Sequence, residues 1–240
     1  MSLSKNQLKL ITSLQQKKYR TKNNLFIAEG TKVVAEFLNS DFELEQLFCV
    51  DASTYKNIER ICQLSEVELK KISTLKTPNN VLALFKIPSE KVISKEGLIV
   101  ALDEINDPGN LGTIIRLCDW FGVDQLICSS NTVDCYNAKV VQASMGSLTR
   151  VSIVYTNLAT CLQNSTLPKY ASLMDGVNVY TTDLPKSAIL VMGNEANGIS
   201  DTILPLLTKS VSIPRFGNLQ QTESLNVATA TAILLSEFKR

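Results

Sequence analysis

The 240-residue sequence contains no histidine. Without imidazole there is no Ser-His or Cys-His nucleophilic pair, no histidine-based zinc site and no side chain with the usual pKa of a neutral-pH general base. A Cys-x-x-Cys pair is also missing. Cys49, Cys62, Cys118, Cys128, Cys135 and Cys161 are scattered, most of them beside Ile, Leu or Phe. They read as core thiols in a reducing compartment, not as metal ligands or disulfides. There is no long hydrophobic run either. The best charge-free stretch, residues 151–167, is interrupted throughout by Asn, Gln, Ser and Thr, so it would not cross a bilayer. The N-terminus has no apolar h-region and no small-residue cleavage site, which makes a cytoplasmic location the expectation.

Hydrophobic residues make up 45% of the chain and charged residues 20%, as in a soluble globular protein. The length suits one large or two small domains. The net charge of +1 conceals an asymmetry: residues 1–22 hold Lys5, Lys9, Lys17, Lys18, Arg20 and Lys22 and no acid, so +6 there faces −5 over the remainder. Such a segment can steer a polyanion or can be a solvated helix face. Leu8, Ile11 and Leu14 stand at helical spacing within it, which predicts a helix with a basic outer side.

After that helix, strands are predicted at 25–28, 44–50 and 81–87, with helices at 32–38, before Cys62 and at 66–72. This is a small α/β unit that ends in a polar linker over 88–97. The second part opens with the apolar strand 98–102, and further strands are predicted at 125–129, 151–155, 170–174, 188–192 and 210–213. Helices are predicted at 111–121, 138–145, 158–163, 200–206 and 224–238. Short apolar strands alternating with helices predict a parallel sheet covered on both faces. The domains are set at 1–95 and 96–240.

Three glycine-containing polar segments follow predicted strands, and such loops gather at the carboxyl edge of a parallel sheet, where ligands bind. In Asn110-Leu111-Gly112, Asn110 suits a helix N-cap, and Arg116 lies off the apolar face among Ile, Leu and Cys. Arg116 serves a ligand or pairs with Asp119. In the segment 193–200, Gly193 and Gly198 bracket Glu195 and offer bare backbone to a flat or anionic ligand, without the spacing of a phosphate loop or dinucleotide fingerprint. In the third, Ile213-Pro214-Arg215-Phe216-Gly217 leads through a polar loop to Ser224-Leu225-Asn226, with Ser224 as the predicted cap of an Ala/Thr-rich helix.

The runs NLGTIIRLCDWFG, GNEANGIS and IPRFGNLQQTESLNVATATAI resemble, in order and spacing, the three motifs of the SpoU (TrmH-like) branch of the SPOUT RNA methyltransferases, over residues 98–240. The N-terminal part, with KKYRTKNNLFIAEGTKVV, resembles the L30e-like substrate-binding domain of many members. The resemblance implies an α/β domain closed by a deep trefoil knot, a homodimer, and S-adenosylmethionine as cofactor, with no metal. It places cofactor contacts at Gly193, Gly198, Ile213, Leu225 and Asn226. Arg116 matches the catalytic arginine, with Asn110, Glu195, Ser224 and Asn226 around it. Arg215-Phe216 departs from the Met and small residue that many relatives carry after the proline.

The implied reaction is methyl transfer to a ribose 2′-hydroxyl of RNA, with ribosomal RNA preferred to transfer RNA. Arg116 would hold phosphate or stabilise an alkoxide, or would accept the proton. Lys17, Lys18 and Arg20, with Arg116, are the predicted RNA contacts. The rivals are a non-catalytic RNA-binding protein on the same scaffold and a nucleotide-using small-molecule enzyme.

Overall fold

The computed structural model describes residues 3–89, 91–218 and 224–240. They fall into two compact units: Met1–Ser89 with Asp134–Thr149, and Glu90–Val133 with Arg150–Arg240.

The first unit carries helices α1 (Lys5–Ser13), α2 (Lys17–Asn23), α3 (Thr31–Leu38) and α4 (Glu66–Ile72), with strands β1 (Leu25–Glu29), β2 (Leu44–Cys49), β3 (Ile61–Gln63) and β4 (Val81–Lys86). The strand order is β1-β4-β2-β3; β4 runs antiparallel to both neighbours and β2 parallel to β3. Successive strand side chains face opposite ways, so Leu25 and Ile27 join Ile11, Leu14, Phe48 and Leu84 in one core layer. Phe26 faces the other way, against Phe37, Phe85 and Tyr136. The single basic helix expected at the N-terminus is two helices, and the stretch before Cys62 is a short 3-10 turn, Ala52–Tyr55, followed by a strand. Reciprocal capping boxes fix α1 (Ser4 with Gln7) and α4 (Ser65 with Glu68). The later stretch of this unit, 134–149, contributes α6 (Ala138–Ser144), labelled in chain order after α5 (Pro108–Trp120) of the second unit.

The second unit is built on six parallel strands, β5 (Leu98–Leu102), β6 (Gln125–Ser129), β7 (Ile153–Thr156), β8 (Lys169–Asn178), β9 (Ala188–Met192) and β10 (Lys209–Ser212), in the order β10-β8-β9-β5-β6-β7. Strands β5, β6 and β9 are buried at every position, as a sheet covered on both faces requires. Helix α7 (Leu158–Asn164) packs on one face through Leu158 and Leu162, with Ile99, Ile127 and Ile189. Helix α5 packs against α8 (Val227–Phe238). The expected linker is partly tied down: Gln125, buried, accepts from the Ser94 N–H at 2.8 Å and donates to the Val92 carbonyl at 2.9 Å.

Two helix starts differ from expectation. Helix α5 begins at Pro108, capped by Asp107, whose Oδ1 accepts from the Asn110 N–H at 2.8 Å; proline at the first helical position loses no bond. Asn110 is therefore inside the helix with its side chain free for other work. Helix α8 begins at Val227 with Asn226 as its cap, and Ser224 lies outside it. The helix expected at 200–206 is a set of turns ending in a 3-10 turn at Leu204–Leu206. Of the polar loop predicted before α8, residues 219–223, including Thr222 and Glu223, lie outside the described residues.

Candidate active site

Parallel strands deliver their following loops to one edge. Leu102 and Met192 are register partners on β5 and β9, so Asp103 and Gly193 leave the sheet side by side. Asp103 is 3% exposed, and its Oδ2 accepts from the Ser200 N–H at 2.8 Å. Glu104 adopts a left-handed conformation, φ 58°, uncommon for a residue with a side chain. Its carbonyl accepts from Asn194 Nδ2 at 2.7 Å, and its carboxylate accepts from Asn131 Nδ2 at 2.7 Å. The segment after β5 thus pins both ends of the loop after β9.

Within that loop Asn194 and Gly198 form a two-bond bridge, at 2.8 and 2.9 Å. Asn194 Oδ1 also accepts from the N–H groups of Ala196 and Asn197. Gly198 needs its φ of +69° to close the turn. At Gly193 a Cβ would meet the Gly198 carbonyl carbon and the Ile199 nitrogen, each at 2.3 Å. The sequence suggests that these glycines leave backbone open to a ligand. The structure shows that Gly193 is required first by the loop itself.

Three of the five predicted catalytic residues are joined. Asn110 Nδ2 donates to Glu195 Oε1 at 2.9 Å, and Asn226 Nδ2 donates to Asn110 Oδ1 at 2.9 Å. The direction of this relay is set by the helix cap: Asn226 Oδ1 accepts from the Ala228 and Thr229 N–H groups, so only its amide nitrogen is left for Asn110. Asn110, thus polarised, presents its own amide nitrogen to the carboxylate of Glu195.

Arg116 and Ser224 are not part of this relay. Arg116 is exposed on α5 beside Thr113 and Trp120, also exposed, and no hydrogen bond or ion pair engages it among the described residues. The alternative partner, Asp119, is already taken by Arg150, with Nε and Nη2 each 2.9 Å from Asp119 Oδ2. Arg116 is therefore available to an external anion. Ser224 is exposed, two residues before the cap, as is Leu225, while Ile213 is half-buried.

Of the predicted RNA contacts in the first unit, Lys17 and Lys18 are exposed and Arg20 is not. Arg20 is 2% exposed; its guanidinium meets Asp134 Oδ2 at 2.6 and 2.8 Å and donates to the Leu14 and Gln15 carbonyls. It is a buried clamp on the α1–α2 corner and cannot reach a phosphate. Sequence alone could not show this, because charge counting treats every cation as solvated. Asp103, Glu104 and Asn194 were likewise missed; the signal for them was the run of acid and amide residues immediately after apolar strands.

All six cysteines are free and buried. Burial pushes the Cys128 thiol up to about 12 and raises that of Cys118 as well, so neither supplies a thiolate nucleophile. Among the described residues, no group of three or more His, Cys, Asp or Glu could hold a metal ion, and no helix is long and apolar enough to cross a membrane.

A six-stranded parallel sheet with an amide-carboxylate relay at its carboxyl edge defines an α/β domain with a polar site built from the loops after its strands. Residues 97–236 match the SpoU rRNA Methylase family, and residues 5–83 match the MRM3-like substrate binding domain. The chain belongs to the SpoU rRNA methylase family. It is 32% identical over 239 residues, 92% of this chain and 91% of the other, to the 23S rRNA (guanosine(2553)-2′-O)-methyltransferase RlmP of Bacillus subtilis. A TrmH-family structure from Porphyromonas gingivalis superposes with a TM-score of 0.90 at 38% identity, covering 98% of each chain. The AdoMet-bound rRNA methyltransferase from Sinorhizobium meliloti does so with a TM-score of 0.87 at 30% identity, covering 100% of this chain and 97% of that one.

Proposed function

We propose that this protein transfers a methyl group from S-adenosylmethionine to a ribose 2′-hydroxyl of ribosomal RNA. The observation that carries the reading is the Glu195–Asn110–Asn226 relay at the sheet edge, close in the chain to an exposed arginine that no acid among the described residues neutralises.

The residues present fit the cofactor. Glu195 offers a carboxylate to a cationic sulfonium or ammonium group, and Leu225, 47% exposed, and Ile213 offer apolar surface beside backbone polar groups. Gly193 and Gly198 shape the loop, with Ile213, Leu225 and Asn226 completing the contact set. When bound, the cofactor supplies an electrophilic methyl on a good leaving group. The protein's task is then to orient the hydroxyl, assist loss of its proton and stabilise the oxygen charge that develops. Arg116, permanently cationic with a forked donor set, holds the flanking phosphate and stabilises that charge. The relay keeps Asn110 and Glu195 in one orientation, and Ser224 adds a hydroxyl at the rim.

The N-terminal residues, 1–95, act as the RNA-recognition domain through Lys17 and Lys18, and residues 96–240 act as the methyltransferase domain. The family resemblance supports a trefoil knot in the C-terminal segment and a cytoplasmic homodimer, which sedimentation tests directly. Methylation mapping of ribosomal RNA from cells with and without the protein tests the function. Loss of one 2′-O-methyl mark on deletion supports it. RNA retention with every mark unchanged indicates the non-catalytic alternative, and loss of a transfer-RNA mark corrects the substrate.

A further inference from the structure

Phe216 is 81% exposed, and its ring centroid lies 6.3 Å from that of Tyr180 at an interplanar angle of 33°. The two rings come from the segments following β10 and β8, neighbouring parallel strands with Ser212 opposite Asn178. Tyr180 sits in the short turn Val179–Thr181, where Asn178 Oδ1 accepts from its N–H at 3.0 Å. Sheet register brings the two segments together and the capped turn orients Tyr180, while Phe216 lies in the irregular stretch after β10. Met174 is 55% exposed nearby, and Arg215 Nη2 lies 3.9 Å from its sulfur.

Leaving an apolar ring in water forgoes the free energy of burying it, so folding of the single chain does not account for the exposure of Phe216. The neighbouring chemistry narrows the occupant. A guanidinium adjoins the exposed ring in sequence, and the proposed function already brings RNA to this chain. An aromatic face beside an arginine is the usual means of holding an unpaired nucleotide, the base on the ring and the phosphate on the cation. Exposed carboxylates at Asp175 and Asp183 stand on the same stretch of chain, so attraction to phosphate there is modest and affinity must come mainly from stacking.

We propose that Phe216, backed by Tyr180 and flanked by Arg215, is a stacking platform for an unpaired RNA base. Two stacked layers need about 3.4 Å each, more than the tilted 6.3 Å gap provides; the base lies on the open face of Phe216 and not between the rings. The proposal rests on the reading of the chain as an RNA methyltransferase and adds a base-holding surface to it.

The test uses the full-length protein and a labelled 12-nucleotide oligoadenylate, with a duplex of equal length as control, in binding titrations over a range of salt. Phe216→Ala and Phe216→Leu should each weaken single-strand binding roughly 5- to 150-fold, Phe216→Trp should restore it, and the duplex should be unaffected. Because stacking releases no counterions, the loss should be equal at every salt concentration, displacing the log–log line without changing its slope. S-adenosylmethionine affinity by calorimetry and sedimentation mass should stay at wild-type values. Leucine binding as well as phenylalanine, or an unchanged alanine variant, would overturn the platform. Lost cofactor affinity would reassign Phe216 to the cofactor site, and a changed mass would reassign it to a contact between copies; either also overturns it. Failure of the methyltransferase reading itself would appear separately, as wild-type protein that stacks RNA but methylates none.

Discussion

Asn110 and Glu195, 85 residues apart in the chain, are joined by a 2.9 Å hydrogen bond whose direction is dictated by a third residue, Asn226, acting as a helix cap. One side chain thus does two jobs, ending a helix and orienting a site, and substitution can separate them.

Asn226→Asp keeps an oxygen for the Ala228 and Thr229 amides but removes the donor to Asn110. Thermal stability should stay near wild type while methyl transfer falls by at least tenfold. Asn226→Ala should lose activity and also about 1 kcal/mol of stability, as lost caps do. Parallel melting curves and turnover assays decide this; equal activity in wild type and Asn226→Asp would show the relay to be idle.

Arg116 is exposed and makes no hydrogen bond or ion pair among the described residues, so Arg116→Ala should fold and bind S-adenosylmethionine as wild type does. Methyl transfer should drop by about 10²–10³-fold, the scale of a lost charge-stabilising donor. Lysine should rescue poorly, since a point charge does not reproduce the guanidinium fork. Calorimetry alongside single-turnover rates measures both properties. A weakened cofactor affinity would move Arg116 out of the catalytic role.

Arg20 and the neighbouring lysines should part company. Arg20→Met leaves Asp134, 13% exposed, without its cation, and should cost about 3–5 kcal/mol of stability, as broken buried pairs do. Lys17→Ala with Lys18→Ala should leave stability nearly unchanged while flattening the salt dependence of RNA binding by up to about two units of slope. Denaturant melts and filter binding over a salt series distinguish the two outcomes.

Asp103→Ala removes the buried acceptor of the Ser200 N–H and should destabilise by about 1–3 kcal/mol. Because that bond anchors the 193–200 loop, cofactor affinity should fall as well. Glu104→Gly, by contrast, keeps both the left-handed backbone and the carbonyl that receives Asn194, and should bind cofactor nearly as well as wild type. A calorimetric comparison that ranks the two variants the other way would contradict the anchoring role.

Glu68 accepts from Ser65 and Leu3 N–H groups, which hold its carboxyl at about 2, below its ordinary 4.5. A carboxyl depressed in the folded state stabilises the fold above its unfolded pKa, and that contribution fades as pH falls through the folded one. The melting-temperature advantage of wild type over Glu68→Gln should therefore be full above about pH 5 and shrink between about pH 4.5 and 2. An advantage independent of pH in that window would rule out the charged acceptor as its source.

The sequence determined what is local. The all-apolar strands β5 and β9, the 66–72 helix and the three glycine-bearing loops follow from periodicity and turn chemistry carried within a few residues. The motifs at 110–116, 193–198 and 213–226 were legible for the same reason. What tertiary structure alone decided are relationships across the chain: Asn226 is 116 residues from Asn110, and Arg20 is 114 from Asp134. A cation looks solvated until a distant carboxylate buries it, and an asparagine looks like a cap until Asp107 takes that role and frees it for Glu195. Hydrogen bonds and ion pairs depend on distances of a few ångströms, and only the folded chain brings those groups within reach.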